Sequence, residues 1–343
     1  MSDTSSHVPV VALTLGDPAG IGPELIARLL AQDNITSKAN VALIGDPWLW
    51  QDGQRIAGVS VATLAVASLA DVRARTDRTL PAFIAVDTVR AGEVQRSQAQ
   101  PAGGRSVIQV LDQCMDAALA GHVDAICFAP LNKFAMKQGG LAHEDELHHF
   151  AQHLGVEGFF CEFNTLDGMW TSRISSHVPT KDVSKYITRE RIIDAATLIY
   201  RSLQANGIAE PRVAVAGFNP HNGDGGTCGR EEIDVIEPAV RELNARGVNV
   251  VGPFPADTIF LRARDGELDA VVTMYHDQGQ IAIKLLGFSR GVTVQGGLPV
   301  PITTPAHGTA YDIAGQGKAN VQAMSNAFAI ACRMGQHQPR SSS

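Results

Sequence analysis

Short apolar runs, each punctuated by Gly, Pro or Asp, recur along the chain with longer amphipathic stretches between them. Val10–Leu15 is the first, and it ends in the turn Gly16-Asp17-Pro18-Ala19-Gly20-Ile21-Gly22. Pro23 suits the first position of a helix, which the pattern carries through Leu25, Ile26, Leu29 and Leu30. Val41–Ile44, closed by Gly45-Asp46-Pro47, repeats the strand-then-turn pattern, and Ala125–Phe128 stops at Pro130. Val213–Ala216, Val248–Val251 and Ala270–Val272 are further strand candidates, with Asn249 weakening the middle one. Between these runs the spacing predicts helices over Val107–Leu119, Thr188–Leu203 and Glu231–Ala245. Such alternation predicts an α/β protein with a largely parallel sheet. No repeat period is present, which argues against a solenoid. The polar stretch Gln336–Ser343 predicts a frayed end.

Composition narrows the picture. With 343 residues the chain can build two domains or one large α/β unit around a sizeable core. An apolar share of 45% and a charged share of 18% are ordinary for a soluble globular enzyme. The 33 glycines cluster between apolar runs, as tight strand-to-helix turns require. A net charge of −7 without any Lys or Arg block speaks against a nucleic-acid surface. No apolar run is long enough to span a bilayer, and Met1–Pro9 lacks a signal-peptide pattern. Cys114, Cys127, Cys161, Cys228 and Cys332 show no CxxC spacing and read as reduced thiols of a cytoplasmic protein.

The candidate chemistry lies in three histidines at the ends of predicted strands: His177 before Val178-Pro179, His221 in Asn219-Pro220-His221-Asn222-Gly223, and His276 in Met274-Tyr275-His276-Asp277-Gln278-Gly279. Side chains at the carboxyl ends of strands gather in the ligand crevice of open α/β sheets. Three neutral imidazoles there could hold Zn²⁺ or a similar ion with positions left open for substrate. From spacing alone, three unrelated surface or capping histidines are the simpler reading, because no short metal motif such as HExxH is present.

The surrounding segments carry a resemblance. Asn219-Pro220-His221 with Gly225-Gly226 and Glu231-Glu232-Ile233, and Met274–Gly279 with Lys284, resemble signature segments of the 4-hydroxythreonine-4-phosphate dehydrogenase family. Gly16–Glu24, Ala129-Pro130-Leu131-Asn132-Lys133 and Pro255-Ala256-Asp257-Thr258 resemble it too, so the likeness runs from about Val10 to about Ala331. It implies a homodimer whose subunits share an active site, with a divalent metal (Zn, Mg or Mn) on His177, His221 and His276. His307–Asn320 contains no G-x-G-x-x-G and as composition is a loop and helix cap. It is similar to the adenosine-binding loop of this family and of isocitrate and isopropylmalate dehydrogenases. That likeness implies a non-Rossmann two-domain fold with largely parallel sheets, NAD or NADP as cofactor, and His307, Gly308 and Asn320 as cofactor-binding residues. The expected domains are 1–130 plus 305–343, with both termini and the cofactor loop, and 131–304, with the metal ligands and dimer contacts.

Departures from the family pattern bear on the substrate. The family holds its substrate's phosphate with a His-Thr pair, whereas this chain reads His143-Glu144-Asp145. The family's substrate-contacting Asn and Arg correspond to Thr293 and Ile302, while Lys284 is kept. A carboxylate about 4 Å from a phosphate dianion is repelled by several kcal/mol at an effective dielectric near 20. Glu144 and Asp145 also suit the first turn of a helix. These changes predict a substrate without phosphate, and Gly279–Leu286 is similar to terephthalate dihydrodiol dehydrogenases. The expected reaction is oxidation of a secondary alcohol in a small hydroxy acid or diol, with decarboxylation where a carboxylate lies β to the new ketone. Lys284 is the candidate for proton transfer, alkoxide stabilisation or anchoring a substrate carboxylate. Asp257 and Asp277 are candidates to orient the imidazoles, and Asp277 could equally cap a helix. The competing readings are oxidation of 4-hydroxythreonine 4-phosphate for vitamin B6 synthesis, a metal-dependent hydrolase, and a non-catalytic binding protein.

Overall fold

The apolar runs become strands because β-branched and small residues fill a sheet buried on both faces. A computed structural model describes residues 7–337. The strands in chain order are β1 (Val10–Thr14), β2 (Asn40–Gly45), β3 (Leu64–Val66), β4 (Ala82–Ala85), β5 (Ala125–Phe128), β6 (Cys161–Leu166), β7 (Met169–Arg173), β8 (Val213–Ala216), β9 (Val250–Phe254), β10 (Ala270–Thr273), β11 (Val292–Gly296) and β12 (Ile302–Pro305). The chain divides into two units, residues 1–157 with 298–343, and residues 158–297. The 131–157 segment therefore belongs to the first unit rather than the second. Its helix Lys133–Gly139 packs on the helix Pro101–Leu119, and Met136, Leu141, Phe150 and Leu154 are buried in the first unit's core.

In the first unit the strand order is β3-β4-β2-β1-β5-β12, and every pairing is parallel. In the second the order is β11-β6-β7-β10-β8-β9: β7, β10, β8 and β9 run parallel, while β11/β6 and β6/β7 are antiparallel. Hairpin β6–β7 turns through Asp167-Gly168, both at positive φ (49° and 93°), the conformation that Asp-Gly pairs favour in tight hairpins.

Helices start where their caps allow. Thr188 caps Arg189–Ala205 and Asn132 caps Lys133–Gly139, each side chain accepting a backbone N–H of the first turn. The helix expected from Val107 begins at Pro101. Gly103-Gly104 disguises this first turn; a Cβ at Gly104 would run into the Ala135 carbonyl, so glycine is what lets the two helices touch there. The helix expected from Glu231 opens with a π turn, Glu232–Ile236, before Glu237–Ala245. The final helix holds through Gln336; residues 338–343 lie outside the described residues.

Candidate active site

Two separate constructions carry the predicted site residues, one in each unit. In the first unit the loop 306–320 is tied back onto the turn and helix that open the chain. Tyr311 donates its hydroxyl to Asp17 Oδ2 at 2.6 Å, and Ala19 N–H donates to Asp17 Oδ1 at 2.8 Å. Glu24 Oε1 accepts the Ala319 N–H at 2.9 Å and Arg28 Nε at 3.0 Å, and Arg28 donates on to the Gly317 carbonyl at 2.7 Å. Gly20 fits beneath the loop because a Cβ there would stand 2.9 Å from Thr309 Cβ. Burial pushes the Asp17 carboxyl above its ordinary range against the hydrogen bonds from Tyr311 and Ala19. Burial and the neighbouring carboxylate likewise raise the Tyr311 phenol. Of the predicted cofactor residues, Gly308 and Asn320 are exposed and His307 is partly so. Asn320 Oδ1 accepts the Gln322 N–H at 2.9 Å, and His307 Nδ1 lies 3.0 Å from the Gly308 carbonyl. Asp17, Glu24, Arg28 and Tyr311, which hold this loop, were not singled out from sequence. Their signal was the acid in the first turn after Gly16, which read as turn chemistry alone.

The predicted substrate segment of this unit turns into a helix cap. Asp145 precedes the helix Glu146–His153; its carboxylate accepts the His148 N–H at 3.0 Å and lies 2.7 Å from His148 Nδ1. Burial would raise its pKa, but the two His148 contacts and the nearby Lys133 charge hold it low. Glu144 points outward with 63% of its side chain exposed. Lys137 donates to the His143 carbonyl, and Lys133 Nζ lies 3.3 Å from Glu146 Oε2. Ile302 is fully buried in β12 opposite Ile126, within the apolar core.

In the second unit, the strand ends bring two of the three histidines together. The rings of His177, just after β7, and His276, at the start of the helix His276–Gly287, have centroids 6.1 Å apart. Asp277 Oδ1 stands 2.7 Å from His276 Nδ1, which fixes that ring and turns Nε2 outward as the available ligand atom. Asp257 is exposed in the turn before the helix Ile259–Arg264. His276, Gln280 and Lys284 form an i, i+4, i+8 row on one helix. Gln280 donates to Asn164 Oδ1, which also accepts from Arg173 at 3.0 Å; Asn164 Nδ2 in turn donates to Thr293 Oγ1 at 3.3 Å. Arg173 also reaches Ser176 at 2.8 Å and Glu162 at 3.1 Å, so this polar group joins the row to the strand end that carries His177. Sequence reading missed Glu162 and Asn164, although polar residues alternating through a strand were the available sign.

His221 sits apart, on an unusual backbone. Residues 221–225 have successive positive φ values of 55°, 57°, 79°, 45° and 62°, a left-handed turn that includes three non-glycine residues. Such conformations persist only where the surroundings hold them, and they collect at functional sites. Glu232 anchors the segment that leads into this turn: Oε1 accepts the N–H groups of Phe218 and Asn219, both at 2.7 Å, and Oε2 accepts Asn219 Nδ2 at 2.9 Å. Burial would raise the Glu232 carboxyl, and these hydrogen bonds outweigh it and keep the group ionised. Among the described residues, no cluster of three metal-capable ligand atoms within 4.8 Å of one another includes His221 or His276. The donor chemistry still suits a borderline dication, with the His276 imidazole oriented by Asp277.

Comparison with known proteins follows this geometry. The chain matches the family described as pyridoxal phosphate biosynthetic protein PdxA over residues 37–331. A Pseudomonas aeruginosa protein provisionally named 4-hydroxythreonine-4-phosphate dehydrogenase 2 is 52% identical over 332 residues, covering 96% of this chain and 98% of its own. The crystal structure of 4-hydroxythreonine-4-phosphate dehydrogenase from Klebsiella pneumoniae superposes with a TM-score of 0.83 at 32% identity, over 97% of this chain and 99% of that one. A terephthalate 1,2-cis-dihydrodiol dehydrogenase from Burkholderia xenovorans is more distant, with a TM-score of 0.66 at 27% identity over 92% of this chain and 94% of its own. Fold and likeness together define a dehydrogenase acting on a CH–OH group. More particularly, the chain belongs to the pyridoxal phosphate biosynthetic protein PdxA family. The hydrolase and non-catalytic readings fall away with that assignment.

Proposed function

We propose that this protein oxidises the secondary alcohol of a small phosphorylated hydroxy acid, such as 4-hydroxythreonine 4-phosphate, with NAD(P)⁺ and a divalent metal. The observation that carries the reading is the pairing of His177 with His276, the latter oriented by Asp277, within a chain 52% identical to a relative named for that substrate. The expectation of a substrate without phosphate is displaced by that likeness.

His177, His221 and His276 are the proposed metal ligands, drawn from both copies of a homodimer. When bound, the dication would supply Lewis acidity and the nicotinamide would serve as the hydride acceptor. Asp277 keeps the His276 ring in one orientation, and Glu232 anchors the segment that leads into the His221 turn. Lys284, on the row that starts at His276, takes up the hydroxyl proton or steadies the developing alkoxide. Thr293 and Asn164 position the substrate from β11 and β6. His307, Gly308 and Asn320 contact the adenosine half of the cofactor, on a loop whose shape Asp17 and Tyr311 maintain. The homodimer draws support from Ile281 and Leu285, 58% and 83% exposed, which stand an i, i+4 apart on the helix that carries His276 and Lys284.

The test is kcat/KM for 4-hydroxythreonine 4-phosphate against unphosphorylated 4-hydroxythreonine. The phosphorylated compound should win by roughly tenfold or more for each charge-assisted hydrogen bond to phosphate. Preference for the unphosphorylated one would show that Glu144, Asp145 and Ile302 set the specificity after all.

A further inference from the structure

Outside the residues considered so far, the first unit holds a second group with metal-ligand chemistry. The helix Pro101–Leu119 carries Asp112 and Asp116 four residues apart, and the helix Glu146–His153 carries His149 and His153 four residues apart. An i, i+4 pair on one helix face is the spacing by which HExxH helices present two imidazoles to one ion. The two helices pack so that these pairs face each other. Asp112 Oδ1 lies 2.7 Å from His149 Nε2 and 3.4 Å from His153 Nδ1. One ligand atom each from Asp112, His149 and His153 falls within 4.8 Å of the other two.

We propose that Asp112, His149 and His153 form a further metal site, which takes a transition-metal dication of the Zn²⁺ class and clamps the two helices together. Nitrogen and oxygen ligands at about 2.0–2.1 Å from a tetrahedral Zn²⁺ stand about 3.3–3.4 Å apart. The separations seen here bracket that value, and small side-chain rotations bring all three into place. The outer contact points the same way: Asp116 Oδ1 lies 2.7 Å from His153 Nε2. A proton held there fixes the tautomer that leaves Nδ1 as the lone-pair donor toward Asp112, the arrangement that carboxylates give to metal-bound histidines. Side-chain exposures of 32%, 14% and 21% for Asp112, His149 and His153 leave the ion reachable from solvent, with a fourth position for water. Without metal, the same atoms make Asp–His hydrogen bonds between the helices. The ion would replace those contacts with metal–ligand bonds.

The inference is independent of the role given to His177, His221 and His276, and its test is built to keep the two apart. Full-length protein carrying His177→Ala and His276→Ala, which keeps only His221 of the other candidate ligands, is dialysed against Co²⁺ and then Zn²⁺ at neutral pH. One equivalent should remain bound per chain, with the visible absorption of Co²⁺ in a nitrogen–oxygen site, and Zn²⁺ should raise the unfolding temperature. Adding His149→Gln and His153→Gln should remove that equivalent, the absorption and the stabilisation. Asp112→Asn alone, a near-isosteric change that preserves packing, should weaken Co²⁺ binding at least tenfold. If the His177/His276 variant holds no metal, or if Asp112→Asn binds Co²⁺ as its parent does, the proposal is overturned.

Discussion

Each unit shapes an irregular segment around a buried carboxylate, yet the two carboxylates are perturbed in opposite directions. Asp17, under the loop 306–320, accepts one backbone N–H and one phenol, and burial prevails to push its pKa up. Glu232, under the turn that presents His221, accepts two backbone N–H groups and the Asn219 amide, and these donors prevail to hold its pKa down. Asp17 lies deeper and has fewer donors, so burial and donor supply together set the opposite directions. An ionised Glu232 organises the amides of Phe218 and Asn219, which lead into the left-handed turn. The loop tolerates a carboxyl that is reluctant to ionise.

That contrast sets the expected effects. The largest should follow loss of a histidine that approaches another: His276→Ala should lower kcat/KM by more than the roughly 10- to 100-fold typical of losing a residue that merely orients a ligand, and bound metal should fall with it. Asp277→Asn should stay within that 10- to 100-fold range, and a loss as large as that of His276→Ala would mean Asp277 does more than orient the ring.

Next comes Tyr311→Phe, which leaves Asp17 buried without its phenol. It should destabilise the protein by about 1.5–3 kcal/mol and raise KM for NAD(P) more than it lowers kcat. An unchanged KM would detach the loop from cofactor binding.

The opposed pKa directions give a sharper test. The Glu232 pKa is depressed, so its contribution is present above the ordinary carboxylate value of 4.5 and is lost as pH falls through the folded-state value. The Asp17 pKa is raised, so its contribution is fully present below 3.8 and is lost as pH rises through the folded-state value. Thermal unfolding followed from pH 6 down to pH 3 should therefore show a smaller acid-side loss in Glu232→Gln than in the wild type. Asp17→Asn should remove the opposite trend; if both variants track the wild-type pH profile, the contrast is not real.

The smallest effects belong to the acids before the Glu146–His153 helix. Asp145→Ala should destabilise by about 1 kcal/mol through loss of its cap, while Glu144→Ala should stay within about 0.5 kcal/mol.

Much of the parallel framework was legible because a strand buried on both faces leaves an unbroken apolar run: Ala125–Phe128 and Val213–Ala216 were placed to the residue. The strands β6 and β7 were not, since Glu162, Asn164 and Arg173 interrupt the apolar pattern to build a polar network that only tertiary pairing reveals. The unit boundary was misplaced because 131–157 reads as an amphipathic segment with no sign of which core it joins. For the site, the three histidines were visible as residues beside turn chemistry. Nothing local told that His221–Gly225 winds left-handed, and the approach to that turn is anchored by Glu232, thirteen residues beyond Asn219. Asp145 carried two readings from sequence, a changed substrate pocket and a helix cap, and its geometry is that of the cap.

The most direct test of the central claim is nicotinamide reduction followed by absorbance when the purified protein meets 4-hydroxythreonine 4-phosphate, NAD⁺ or NADP⁺, and a divalent metal. Reduced nicotinamide should accumulate, stop on addition of a chelator and resume when metal is restored, and His276→Ala should show none of this. Turnover that is indifferent to the chelator, or no reduction of either cofactor, would contradict the account.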